Sequence, residues 1–81
     1  PVDEEAIMWS AEGGHVETVK LLLEANVPVD GDAIWVAAKY GYTEIVKLLI
    51  EKKAPVNKSA VDSAAWNGHA EIVKLLEAYM A

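Results

Sequence analysis

Residues 28–54 read PVDGDAIWVAAKYGYTEIVKLLIEKKA, and the same sentence is written twice more, as PVDEEAIMWSAEGGHVETVKLLLEANV over 1–27 and PVNKSAVDSAAWNGHAEIVKLLEAYMA over 55–81. Pro1, Pro28 and Pro55 open the units and Gly14, Gly41 and Gly68 mark their middles, each 27 positions from the last. One unit of this size cannot bury its own apolar face, whereas a stack of them can. The period therefore predicts a solenoid of supersecondary units. Three units account for all 81 residues as one repeat domain, divided 1–27, 28–54 and 55–81, and three is about the least that makes a stable array.

Inside each unit the pattern is a helical hairpin. Asp3, Asp30 and Asn57 follow the Pro-Val pair, and Asp or Asn before an apolar-periodic run is an N-cap whose side-chain oxygen accepts from an otherwise unpaired backbone N–H. The first helix runs to about the central glycine, which takes the left-handed conformation that lets the chain reverse. The second helix starts near Val16, Thr43 and Ala70, carries Glu17, Glu44 or Glu71 in its first turn, and ends near Asn26, Lys53 and Tyr79. Pro28 and Pro55 stop continuation and set an extended linker. Leucines 21, 22, 48, 49, 75 and 76, with Val19, Val46 and Val73, make the apolar stripe of the second helices. Glutamate–lysine pairs 17–20, 44–47 and 71–74 lie three apart on a solvated face, where each is worth only about 0.2–0.5 kcal/mol.

Composition narrows the function classes. Thirteen acidic and seven basic residues give a formal net charge of −6, and every cation is a lysine. That balance repels phosphate backbones, so nucleic acid is not an expected partner. No apolar run approaches bilayer-crossing length, so a membrane is not expected either. The chain has no cysteine, which removes disulfides and thiolate metal sites and fits a reducing compartment such as the cytoplasm.

The second-helix motifs, GGHVETVKLLLEANVPVD, GYTEIVKLLIEKKAPVN and NGHAEIVKLLEAYMA, resemble the second half of ankyrin repeats, in which a Gly-His turn leads into a Glu-Ile-Val-x-Leu-Leu-Leu helix. The resemblance covers the whole chain. It implies an all-α, three-unit helix-turn-helix solenoid and a protein-binding role. One departure is large: an ankyrin repeat is about 33 residues long, whereas only Glu4-Glu5, Gly31-Asp32 or Lys58-Ser59 separate cap from first helical alanine here. The missing residues are those of the β-hairpin finger, so no strand is expected.

A helical wheel of the first helices places Ala6, Ile7, Ser10 and Ala11 in one arc, as it does Ala33, Ile34, Ala37 and Ala38, and Ala60, Val61, Ala64 and Ala65. Opposite lie Met8 and Glu12, Trp35 and Lys39, Asp62 and Trp66, flanked by Tyr40 and Asn67. Met8, Trp35 and Trp66 form an apolar diagonal across the stack and, with those neighbours, the candidate protein-binding site. Large rigid aromatics beside charges are the composition of interaction hot spots. For Trp35 a second reading stands equally open, that it plugs the space left by the finger. Trp9, on another flank of its helix, is expected to pack.

Catalytic, cofactor and metal residues are not expected. His15 and His69 are two repeats apart, too far to share one ion when packed helices stand about 8–10 Å apart. They are read as rings that close their turns by hydrogen bonding. Ser10, Ser59 and Ser63 have no histidine in a triad relationship, and no phosphate-binding glycine loop is present. The glutamates Glu4 and Glu5 sit where the helix dipole explains them. Thr18 replaces the isoleucine of positions 45 and 72 and Glu77 replaces Leu23 and Ile50, so both end units read as polar caps. Equal unit lengths and the absence of Arg, Gln, Phe and Cys favour an engineered scaffold over a natural fragment. The expected partner is a protein, including another copy of this chain meeting it through the inner helix-one face, with a purely structural repeat protein as the alternative.

Overall fold

The computed structural model describes residues 4–27, 29 and 31–81, with side chains from Ile7 onward. Expectations for Pro1, Asp3, Pro28, Asp30 and the side chains of Glu4, Glu5 and Ala6 lie outside it. Six helices follow one another: α1 (Glu4–Glu12), α2 (Val16–Glu24), α3 (Gly31–Tyr40), α4 (Thr43–Glu51), α5 (Lys58–Trp66) and α6 (Ala70–Met80). They form three hairpins, and among the described residues there is no strand. Residues 54–57 run without regular structure straight into α5, so the finger is absent there.

The hairpins stack in two rows. α3 lies between α1 and α5 in the inner row, and α4 between α2 and α6 in the outer row. The inner helices approach one another more closely than the outer ones. Side-chain size is the cause: the buried inner-row residues include Ala11, Ala33, Ala37, Ala38, Ala60 and Ala64, whereas the outer row buries Val19, Leu23, Ile45, Val46, Leu49, Ile72 and Leu76. Alanine against alanine brings helix axes to the short end of the usual range. Both rows join one apolar core.

Helix boundaries follow from local chemistry. Gly14, Gly41 and Gly68 have φ of +73°, +81° and +79°. At Gly68 the Schellman pair of bonds is complete, with Gly68 N–H donating to Ala65 and His69 N–H to the Ala64 carbonyl. The Asn57 side chain accepts from Ala60 N–H at 3.4 Å, the cap read from the sequence. α2 and α4 stop two residues short of Asn26 and Lys53, because those residues turn left-handed at φ 60°, whereas α6 runs on to Met80. The same paired bonds follow, Asn26 N–H to Leu23 and Val27 N–H to Leu22, then Lys53 N–H to Ile50 and Ala54 N–H to Leu49. These bonds end the two helices before the linkers begin.

Position in the stack corrects two expectations and separates one pair of counterparts. Leu21, read as part of the apolar stripe, is 65% exposed. Trp9, expected to pack, is 62% exposed. Ala65 is exposed although Ala38, its counterpart one repeat earlier, is fully buried. Each belongs to an end repeat, on the side where its middle-repeat counterpart meets a neighbour. Thr18 and Glu77 are exposed, as polar end positions should be. On the solvated face, Lys20 reaches Glu17 at 3.7 Å.

Candidate functional site

The helix-one residues opposite the alanine arc stand on the solvent side of the inner row. Met8 and Trp35 are half-buried, whereas Glu12, Lys39, Tyr40, Asp62, Trp66 and Asn67 are exposed. Trp66 leaves 90% of its surface in solvent. Trp35 combines features of both sequence readings. It packs against the core, yet its ring also lines a shallow concavity with Gly31, Asp32, Asn57 and Ser59 near the starts of α3 and α5.

Lys39 organises the middle of this surface. Its ammonium sits 5.2 Å from the centroid of the Trp35 ring and 5.5 Å from that of Tyr40, so one cation faces two aromatic rings. Each such contact at an exposed site is worth about 0.5–1 kcal/mol. Four-residue spacing places Lys39 one turn above Trp35 on the same helix face. Tyr40 in turn leans toward Tyr42, with ring centroids 6.0 Å apart and planes tilted by 38°. Asn67 is held by its own helix, its amide donating to the Ser63 carbonyl at 2.8 Å. Glu12, Lys39 and Trp66 occupy one register position in successive repeats, so the exposed row changes from anion to cation to aromatic along the stack.

A second ladder, missed in the sequence, ties the repeats together beside this surface. Tyr42 donates its hydroxyl to the Glu12 carbonyl at 3.3 Å, and His69 donates from Nε2 to the Lys39 carbonyl at 3.2 Å. Both bonds reach back 30 residues, one repeat plus three. The rings close the turn of the preceding repeat and not their own, which corrects the expectation for His69. Each stands over a glycine: a Cβ on Gly14 would lie 3.1 Å from the Tyr42 ring, and one on Gly41 only 2.6 Å from His69. His15 has no earlier described turn to reach, and its ring folds over Gly13 instead. The signal was present in the sequence, since His15, Tyr42 and His69 share a register position that Tyr and His fill with ring donors of similar reach.

Tyr79 is a further tie that the sequence did not reveal. Its hydroxyl donates to the Ala54 carbonyl at 2.8 Å and fastens α6 to the linker before α5. Among the described residues no three His, Asp or Glu side chains gather as a metal site. No described helix is long and apolar enough to cross a membrane.

Stacked helical hairpins with an alanine-lined inner row and an exposed aromatic-charged face define a helical-repeat solenoid. The chain belongs to the ankyrin-repeat family, whose model, ankyrin repeats (3 copies), matches residues 7–80. Ankyrin repeats generally mediate protein–protein interaction, and the family is generally non-enzymatic. No curated protein matches the chain.

Proposed function

We propose that this chain is a non-enzymatic protein-binding scaffold whose contact surface is the solvent side of the inner helices. Met8, Glu12, Trp35, Lys39, Tyr40, Asp62, Trp66 and Asn67 supply that surface. One observation carries the reading: Lys39 lies over both Trp35 and Tyr40, one repeat from the exposed Trp66. An aromatic of that size left in water contributes little to its own fold. Covered by a partner, a central tryptophan commonly supplies 2 kcal/mol or more. Without fingers, side chains on the helices themselves take the role of contact residues. An engineered scaffold with this surface and a natural module share the same mechanism.

The test is a display selection against the immobilised chain. Selected binders should lose about thirtyfold or more in affinity on Trp66→Ala, the equivalent of 2 kcal/mol. They should be indifferent to Glu44→Ala and Lys47→Ala on the outer helices. Binders that tolerate Trp66→Ala and Lys39→Ala but fail on the outer-helix variants would overturn the assignment.

A further inference from the structure

The two ends of the stack differ from its middle in complementary ways. At the last repeat, Gly68 carries the same left-handed turn as Gly14 and Gly41, but a Cβ built there meets nothing within 4 Å. No ring covers it. Beside it a groove is lined by Ala65, Gly68, Ala70, Val73, Lys74 and Glu77. Ala65 and Val73 are the counterparts of Ala38 and Val46, which are completely buried in the middle repeat. At the first repeat, His15 is the unused ring of the ladder, and Trp9 and Leu21 stand exposed. Their counterparts in the middle repeat, Val36 and Leu48, are buried and half-buried, and Leu48 lies beside Lys20 and Leu23 of the repeat before it. Each end therefore presents one half of the contact that already joins repeat to repeat twice within the chain.

We propose that a second copy of this chain docks head to tail on the first, its Trp9–Leu21 face on the Ala65–Val73 groove and its His15 ring over the Gly68 turn. The occupant is fixed by continuity with the internal interface. In that contact the ring at position 42 or 69 covers a glycine of the preceding repeat and donates to a carbonyl in the last turn of its first helix. By the same geometry His15 Nε2 reaches the Trp66 carbonyl of the copy below. The ring would leave Gly13 to do so. Because the faces differ, the contact is heterologous, and because it repeats the stacking step of the solenoid, which does not return on itself over three repeats, copies add one after another. The polar residues Thr18 and Glu77 weaken this contact relative to the internal ones without blocking it. Two chains of charge −6 repel, so added salt strengthens association.

Blocked ends provide the test, read by sedimentation over micromolar to millimolar concentration, with circular dichroism confirming helical content. Leu21→Lys blocks the first face and gains a Glu17 partner four residues back; Trp9→Lys is a second block of that face. Ala65→Lys blocks the other. All three positions are exposed in the single chain, so the fold is retained. Wild type should grow beyond dimer, each blocked variant should remain monomeric, and an equimolar mixture of Leu21→Lys and Ala65→Lys should stop at dimer. His15→Tyr should preserve association, since Tyr42 makes the same bond, whereas His15→Ala should weaken it at least threefold. A wild type that stays monomeric, a blocked variant that still associates on its own, or a mixture that fails to pair would each overturn the proposal.

Discussion

The imidazole of His69 fills the space in front of Gly41, where a Cβ would stand 2.6 Å from its Cε1, and its Nε2 donates to the carbonyl of Lys39 two residues earlier. One ring thus satisfies a carbonyl at the end of an inner helix and seals the turn below it. The glycine is needed twice, for its left-handed backbone and for the room it leaves.

That double need separates two otherwise equal substitutions. Gly41→Ala and Gly68→Ala both place a Cβ on a left-handed residue, which costs about 1–2 kcal/mol. Only Gly41→Ala also displaces a ring and its hydrogen bond, worth a further ~1 kcal/mol. In urea unfolding Gly41→Ala should be the more damaging of the two. Equal losses would show that His69 is not seated over the turn.

Leu49 is fully buried between hairpins, whereas Leu21 in the first repeat is mostly in water. Leu49→Ala should cost about 2–5 kcal/mol, enough to leave so small a domain largely unfolded. Leu21→Ala, measured on dilute protein, should fall within about 0.5 kcal/mol of wild type. Leu76 is also fully buried but has a neighbouring repeat on one side only, so Leu76→Ala should be the milder of the two core truncations.

Tyr79→Phe removes one hydroxyl and leaves the Ala54 carbonyl without that donor. A loss of about 0.5–1.5 kcal/mol is expected, with faster amide exchange in the last helix. An unchanged urea midpoint would mean that the bond adds nothing to the docking of α6.

Lys53 holds φ at 60° with a side chain that is exposed. Lys53→Gly should relieve backbone strain and raise stability by about 0.5–1 kcal/mol, partly offset by the greater freedom of glycine in the unfolded chain. Thermal unfolding at fixed concentration reads the sign directly.

Much of this architecture was legible because repetition multiplies weak local signals. The central glycines, the Asn57 cap and the starts of α2, α4 and α6 stand where turn chemistry and the 27-residue period put them. What was not legible depends on neighbours one repeat away. Trp9 and Leu21 have apolar identities and helical spacing suited to a core, but among the described residues nothing covers them. Asn26 and Lys53 end the outer helices by backbone conformation, which residue type alone signals weakly when the residue is lysine. The bonds of Tyr42, His69 and Tyr79 span 25–30 residues, beyond the reach of any local window. Composition drew attention to Trp35 and Trp66, and only the packing distinguishes the half-seated ring from the free one.

The difference in helix spacing between the two rows makes every hairpin a wedge, thin at its alanine edge and thick at its leucine edge. Wedges stacked in one sense trace an arc, and the closer spacing of the inner row predicts that it bends toward the face that carries Trp35, Lys39 and Trp66. The hollow in which a partner would sit is therefore cut by residues that no partner touches. Enlarging Ala37 would open the inner row and flatten the arc, altering what fits against the surface while every contacting side chain stayed the same.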